Sequence, residues 1–226
     1  MPTLTLITMT NKADSERGKA LLNWEAEKLQ FLRPMVSLVP NCESYAKYNE
    51  NVLFNLHKYF DTDFVLITQF DARVVNPLAW TDDFFKYDYI GAPWVWRIMK
   101  PQYLKDRGGM RDKNRLVGNG GFSLRSRRLC KLLAEKYTGR LSPGEAEDVF
   151  ICQNVRDELE AQGIKFAPYE VAERFSVENQ RYTGQFGAHS SFVFNHSIYN
   201  MKKMRDFEID KITAAIGYAY CAQAGG

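Results

Sequence analysis

The chain has 226 residues, of which 45% are apolar and 25% are charged. These values are ordinary for a soluble globular protein, and the length favours one domain with a sizeable core. The net charge of +3 is too small to indicate a nucleic-acid-binding protein. There is no signal-peptide pattern and no run of about 20 apolar residues that would span a bilayer, so we expect a cytoplasmic protein.

The four cysteines show no CxxC spacing, and they are Cys42, Cys130, Cys152 and Cys221. Cys130 and Cys152 fall on the apolar faces of predicted helices. This placement favours buried free thiols in a reducing compartment over disulfides or a zinc site.

Strand and helix patterns alternate along the first third of the chain. Strands are predicted at 3–8, 35–39 and 64–69, and helices at 17–32 and 45–59. In the second helix, apolar residues recur at steps of three and four. The resulting β-α-β-α-β order is typical of a parallel sheet with crossover helices.

The second half is less regular. Short strands are predicted at 87–92 and 164–167, an exposed basic loop at 105–115, and a glycine-rich turn that enters a strand at 117–126. Helices are predicted at 129–137, 149–162 and 208–222.

An apolar run from Phe64 to Ile67 ends in two polar side chains, Gln69 and Asp71. An uninterrupted apolar run suits a strand buried on both faces of a parallel sheet, and ligands bind at the carboxyl ends of such strands. A carboxylate there is placed to hold a metal ion or a sugar hydroxyl. Aspartate also commonly caps turns, and the residues of this segment do not decide between the two roles.

A second candidate site is the glycine-rich segment Gly118-Asn119-Gly120-Gly121. Glycine allows positive φ and close approach of a ligand, and Asn119 can both donate and accept hydrogen bonds. The segment enters a predicted strand, whereas a dinucleotide fingerprint leaves one. A tight turn without a ligand is the alternative that the pattern leaves open.

Acidic residues gather at a predicted helix start, where Glu145, Glu147 and Asp148 lie. The helix dipole alone favours each by roughly 0.3–1 kcal/mol, which is sufficient for a structural role. The alternative is a general base, because a helix N-terminus favours the ionised carboxylate that a base requires. His189 follows a glycine in a predicted loop, and a single histidine is more often structural than a ligand.

In this order, the motifs resemble glycosyltransferases of the GT-A fold. They are most similar to a bacterial family catalogued as a domain of unknown function and regarded as glycosyltransferase-like. The resemblance covers roughly residues 45–190, and its most specific stretches are YDYIGAPW at 87–94 and GNGGFSLRS at 118–126. It implies an α/β fold with a Rossmann-like, mostly parallel central sheet flanked by helices and a small antiparallel addition in the second half.

The resemblance also implies how the chain is organised. Residues 1–226 would form one domain, with a nucleotide-binding half at about 1–75, an acceptor and catalytic half at about 76–200, and a C-terminal helix at about 208–222.

Residue roles follow from the same resemblance. GT-A enzymes commonly hold Mn²⁺ or Mg²⁺ with an Asp-x-Asp motif, and here Gln69 replaces the first acid. Asp71 and His189 would therefore be the metal ligands. An amide oxygen is a weaker ligand than a carboxylate for a hard cation, which reduces the expectation of a metal.

The resemblance assigns the base that deprotonates the acceptor to Asp148, with Glu147 as its rival. It assigns donor or acceptor binding to Gln69, Asp71, Trp94, Gly118, Asn119, Gly120, Gly121 and Arg125. Trp94 would stack on a sugar. Arg125, or basic residues of the 105–115 loop, would offset the diphosphate charge if no metal is bound.

The implied activity is that of an inverting, hexosyltransferase-type glycosyltransferase in surface polysaccharide or lipopolysaccharide synthesis. Its partners would be a UDP- or dTDP-sugar donor and a saccharide or lipid-linked saccharide acceptor, used in the cytoplasm or at the inner face of the membrane. Two other classes stay open: a nucleotide- or carbohydrate-binding module without catalysis, which Gln69 favours, and a nucleotide-sugar hydrolase.

Overall fold

The computed structural model describes residues 1–94 and 112–190. Eight strands lie in these ranges: β1 (Leu4–Met9), β2 (Met35–Val39), β3 (Phe64–Thr68), β4 (Ala72–Val74), β5 (Tyr89–Gly91), β6 (Phe122–Ser126), β7 (Ser176–Val177) and β8 (Gly187–His189). Five of them form the central sheet in the order β2-β1-β3-β6-β5. β1 is parallel to β2 and β3, whereas β6 is antiparallel to both of its neighbours. The predicted mostly parallel sheet is confirmed.

Six α-helices accompany these strands in the described ranges: α1 (Ser15–Lys28), α2 (Tyr45–Glu50), α3 (Arg127–Lys136), α4 (Glu147–Val149), α5 (Arg156–Ala161) and α6 (Tyr169–Phe175). α2 and α4 each continue into a π-helical turn, at Asn51–Asn55 and Phe150–Asn154. None of the helices described is long and apolar enough to cross a membrane.

Helices cover both faces of the central sheet because alternate residues of its strands point to opposite sides. On one face, Leu6 and Leu66 pack with Leu22 of α1. On the other, Ile7 and Ile67 pack with residues of the turns after α2 and with α3. The connection from β1 to β2 therefore covers one face of the sheet, and the connection from β2 to β3 covers the other. Such a switch point opens a crevice at the carboxyl ends of the strands, where ligands of α/β sheets bind.

A second, three-stranded sheet has the order β4-β8-β7. β4 and β8 are antiparallel, and β7 is parallel to β8, so this small addition is mixed. It also contains β4, which comes from the first half of the chain, where no strand was predicted after Asp71. The register pairs Ala72 with His189. His189 therefore ends a strand, whereas its sequence context predicted that it lies in a loop.

Glu25 of α1 anchors the second sheet to the first. Its carboxylate is fully buried, accepts the Val74 N–H at 2.9 Å and contacts Lys28 Nζ at 3.1 Å. Lys28 in turn donates to the Val74 carbonyl at 2.7 Å. One turn of α1 thus satisfies both backbone groups of the residue that ends β4, and this holds the chain that follows Asp71 in place.

Several sequence predictions differ from the structure in detail. The predicted helix at 45–59 changes to π and 3₁₀ geometry after Glu50. The helix predicted at 149–162 consists of the π-helical turn Phe150–Asn154 followed by α5. The strand predicted at 164–167 forms only a bridge between Phe166 and Tyr89. α6 was not predicted. The predicted helix at 208–222 and most of the basic loop lie outside the described residues.

Candidate active site

The turn between β3 and β4 brings Asp71 to His189. Asp71 Oδ1 lies 3.3 Å from His189 Nε2, and the Asp71 carbonyl accepts the Ser190 N–H at 2.9 Å. Burial favours the neutral form of Asp71, yet the adjacent imidazole outweighs it and holds the pKa of this carboxyl below its ordinary value. The site therefore contains an ionised carboxylate at the carboxyl end of a buried strand.

His189 lies between two carboxylates. Its Nε2 faces Asp71, and its Nδ1 lies 3.4 Å from Glu178 Oε1 and 3.0 Å from Asn119 Nδ2. Burial alone would lower the pKa of His189, but the charges of Asp71 and Glu178 outweigh it and raise the pKa to about 10. The side chain is thus an imidazolium near neutral pH and supplies a positive charge inside the site.

The amide of Gln69 makes contacts at both of its ends. Its Oε1 lies 3.0 Å from His189 Nε2, while its Nε2 donates a hydrogen bond to the Tyr48 hydroxyl. A carboxylate could accept from His189 but could not donate to Tyr48. Gln69 therefore links Tyr48 of α2 to His189 of β8.

The glycine-rich segment lies directly against these residues. A Cβ on Gly121 would be 2.1 Å from His189 Nε2 and 2.6 Å from Gln69 Oε1, so only glycine fits there. The next residue back, Gly120, donates its N–H to Asp148 Oδ2 at 3.1 Å. The segment therefore lies between the Asp71 side of the site and the Asp148 side.

Asp148 lies in the first turn of α4. Its Oδ1 accepts the Val149 N–H at 2.8 Å, and its Oδ2 accepts the Gly120 N–H. Burial raises the pKa of this carboxyl above its ordinary value, against the lowering effect of these two hydrogen bonds. A raised pKa makes the ionised carboxylate a stronger base than an ordinary aspartate, and this is a property that a general base requires.

Glu147 and Arg125 do not have the roles that were expected of them. Their side chains form an ion pair at 2.8 Å, and the two residues are 3% and 0% exposed. Burial raises the pKa of Glu147 to about 7 against the opposing charge of Arg125. Both side chains are enclosed in the core, and the charge of each is paired with that of the other. The pair instead supports the glycine segment, because a Cβ on Gly120 would be 1.8 Å from Glu147 Oε1.

Trp94 also differs from expectation. It is 9% exposed, belongs to the core cluster around Tyr89 and Phe150, and its ring would be 2.2 Å from a Cβ on Gly118. The ring therefore packs beneath the glycine segment, which replaces its expected role in sugar stacking. Gly118 has no side chain, and this leaves room for the Trp94 ring.

The structure adds three residues to the site that were given no role in it from the sequence: Tyr48, Asn49 and Glu178. Tyr48 and Asn49 belong to a helix whose apolar stripe was recognised, and Asn49 lies on that stripe between Tyr45 and Val52. A polar residue at a buried helical position is a signal that could have identified it. Glu178 follows a strand of two residues, which is too short to be recognised from its pattern.

The donor atoms for a cation are few. Asp71 Oδ1 and Gln69 Oε1 both lie within 3.3 Å of His189 Nε2. In the described ranges, no group of three or more His, Cys, Asp or Glu residues could hold a metal ion. One carboxylate, one imidazole and one amide fit a divalent cation only when a ligand supplies further oxygens and His189 gives up its proton.

Comparison with known proteins gives one family. The model of the family described as "Protein of unknown function (DUF5672)" matches residues 36–191. Among solved structures, the fold is similar to that of the galactosyltransferase LgtC in complex with donor and acceptor sugar analogues. The identity is 12% and the TM-score is 0.44, over 83% of this chain and 87% of that one. No curated protein matches the sequence.

The buried ion pair can be tested by a double-mutant cycle. We expect Arg125→Met or Glu147→Leu alone to lower the free energy of unfolding by about 3–5 kcal/mol, because each leaves a buried charge unpaired. The free energy of unfolding should fall less in the double variant than in either single variant, since two apolar side chains then share the space. Urea unfolding measures all three.

The exposed pair Arg140–Glu158, at 2.7 Å, is the matched control, and Arg140→Met with Glu158→Leu should show no resolvable coupling. Additive losses at Arg125 and Glu147 would contradict the assignment of these two residues as one structural unit.

Proposed function

The chain belongs to the DUF5672 family, and we propose that it is a glycosyltransferase. It would move a sugar from a nucleotide-diphosphate donor to a saccharide hydroxyl with inversion. One observation carries the proposal: Gly120 holds Asp148, while the adjacent Gly121 packs on His189 and Gln69. A candidate base and a candidate diphosphate site thus contact two consecutive residues, at the end of the sheet where α/β folds bind ligands.

In the proposed reaction, an Asp148 oxygen takes the proton of the acceptor hydroxyl. The acceptor oxygen forms a bond to the anomeric carbon as the bond from that carbon to the diphosphate breaks. The electron pair leaves with the diphosphate, and attack from the opposite face inverts the anomeric configuration. Stabilising the negative charge that develops on the diphosphate is the main electrostatic task.

The diphosphate would leave on the Asp71 side of the glycine segment, where His189 carries a positive charge. A divalent cation, held by Asp71, a deprotonated His189 and the Gln69 oxygen, would supply the positive charge there when bound, in place of the imidazolium. Thr8 and Thr68 lie near the carboxyl ends of the neighbouring strands β1 and β3, and their buried hydroxyls have no hydrogen-bond partner within the described residues. Such groups favour a polar ligand, because an unpaired buried hydroxyl costs free energy.

The finer assignments are part of the same proposal. The donor would be a UDP- or dTDP-sugar, and the acceptor a saccharide or lipid-linked saccharide of a surface polysaccharide or lipopolysaccharide. The reaction would take place in the cytoplasm or at the inner face of the membrane.

A binding module without catalysis is the second candidate function. Gln69 supports it, because the diphosphate side then has one carboxylate fewer for a cation than the usual motif provides. Such a module would bind a nucleotide sugar without turning it over.

The proposed base is tested by Asp148→Asn. We expect transfer to fall by about 10²–10⁴-fold, the usual contribution of a general base, while donor affinity stays near its original value. In the unchanged protein, the rate should fall on the acid side at a pH above the 3.8 of an ordinary aspartate, because burial raises the pKa of Asp148. Product analysis by NMR measures the rate and the anomeric configuration.

Asp83→Asn, at an exposed carboxylate paired with Lys86, is the control and should transfer sugar normally. Near-normal transfer by Asp148→Asn would refute its role as the base. Donor binding without turnover in the unchanged protein would favour the binding module, and free sugar released without an acceptor would indicate a hydrolase.

Metal use is tested by thermal shift. Bound ligand stabilises the folded state by mass action, by about 2.7 kcal/mol at 100 times the dissociation constant. We expect Mn²⁺ to raise the melting temperature only together with a nucleotide diphosphate, because the protein itself offers three donor atoms. His189→Gln should remove the Mn²⁺-dependent part, and His57→Gln should keep it. No Mn²⁺ effect with any nucleotide would mean that the site works without a metal.

A further inference from the structure

A buried asparagine of α2 contacts the backbone that carries Asp148. Asn49 is 1% exposed. Its Oδ1 accepts the Glu147 N–H at 3.2 Å, and its Nδ2 donates to the Glu145 carbonyl at 3.1 Å. One side chain therefore bonds the chain on both sides of Ala146, the N-cap residue that precedes α4.

These two hydrogen bonds explain why an asparagine occupies this position. Asparagine is a poor helix former, and burying its amide costs free energy unless both ends are bonded. Within α2, Asn49 lies where the apolar stripe would place an aliphatic side chain. Packing alone would therefore favour a different residue, and the contacts to Glu145 and Glu147 satisfy the amide.

The residue after Glu147 is the proposed base. The side chain of Glu147 is held by Arg125 and its N–H by Asn49, so its position is set from two sides. Asp148 follows directly and accepts the Gly120 N–H. A shift at Glu147 would therefore move the Asp148 carboxylate relative to Gly120.

α2 also contacts the other half of the site. Tyr48, which precedes Asn49, accepts the hydrogen bond of Gln69 Nε2, and Gln69 contacts His189. Two successive side chains of one helix thus contact the diphosphate side and the base side. Both α2 and α4 then continue into π-helical turns, a rare geometry that often occurs at functional sites.

We propose that Asn49 is the positioning residue of the base: it fixes the start of α4 so that the Asp148 carboxylate is held on Gly120, ready to accept the proton. The proposal deepens the glycosyltransferase function and rests on it for its catalytic consequence. Its geometric part concerns the resting protein and can be measured without any substrate.

Amide hydrogen exchange tests the geometry. In Asn49→Ala, the Glu147 N–H loses its acceptor, and we expect faster exchange at Glu147 and also at Gly120, whose acceptor is Asp148. Asn49→Asp keeps an acceptor for Glu147 but cannot donate to the Glu145 carbonyl. It should give a smaller increase at both amides.

Asn51→Ala is the matched control. Asn51 is a buried asparagine two residues further along the chain, but its amide contacts Asn41 and Cys42. This variant should leave exchange at Gly120 unchanged. Equal acceleration at Gly120 in Asn51→Ala would reduce Asn49 to a general packing role and overturn the proposal. Unchanged exchange at Gly120 in both Asn49 variants would overturn it as well.

Kinetics test the catalytic consequence. Misplacement of a catalytic group by about 1 Å can cost about 100-fold in rate, so Asn49→Ala should lower kcat by about 10- to 100-fold with donor KM changed by less than about threefold. The kcat of Asn49→Asp should fall less than that of Asn49→Ala, and Asn51→Ala should keep the original kcat.

The two proposals fail in different ways. If the unchanged protein transfers sugar and Asn49→Ala keeps kcat within about twofold, well short of the loss that misplacement causes, the positioning role is wrong. If the unchanged protein transfers no sugar to any acceptor while exchange at Gly120 responds to Asn49, the proposed function is wrong and the positioning of Asp148 stands.

Discussion

The antiparallel pairing of β3 with β6 is the constraint on which the site depends. The register places Thr68 opposite Phe122, and beyond this pair the Gln69 N–H donates to the Gly121 carbonyl at 3.0 Å. The end of one strand and the beginning of the other therefore meet at the same edge of the sheet. Two motifs about 50 residues apart become neighbours because a ladder of hydrogen bonds fixes their alignment.

Around this edge, buried charges are arranged in pairs. Arg125 compensates Glu147 in the core below the glycine segment, and His189 compensates Asp71 above it. Unpaired charges at this depth would be costly, so each pair limits where its members can lie. Asp148 differs from Glu147 and Asp71, because backbone N–H groups hold its carboxylate and no basic side chain of the described residues forms a salt bridge with it. That arrangement leaves its carboxylate able to take a proton.

The strand order of the first half and the positions of Gln69 and Asp71 follow from short-range patterns. An apolar run that ends in polar residues is visible in the sequence, and so are the glycines and the acids of α4. The role of Arg125 was not predictable in this way. It lies on a five-residue strand, and only the tertiary structure shows that both faces of that strand are covered. Trp94 is a similar case, because its burial depends on the packing against Gly118.

His189 was identified as a candidate, but its position came from long-range contacts. β8 has three residues, and its partner β4 lies more than a hundred residues earlier in the chain. Strands this short have little sequence signal, since a period of two cannot be recognised over three residues. Asn49 was missed because its partners, Glu145 and Glu147, are distant in sequence. Residue patterns report the local element and its buried face, and they do not report which distant backbone group an amide will meet.

The central claim is that one bound donor contacts both sides of the glycine segment. A crystal structure of the protein with a non-hydrolysable nucleotide-diphosphate sugar tests it most directly. The account predicts the diphosphate beside Asp71 and His189 and the anomeric carbon on the side of Asp148. A donor bound elsewhere, or a structure in which Asp71 and Asp148 face different surfaces of the molecule, would contradict it.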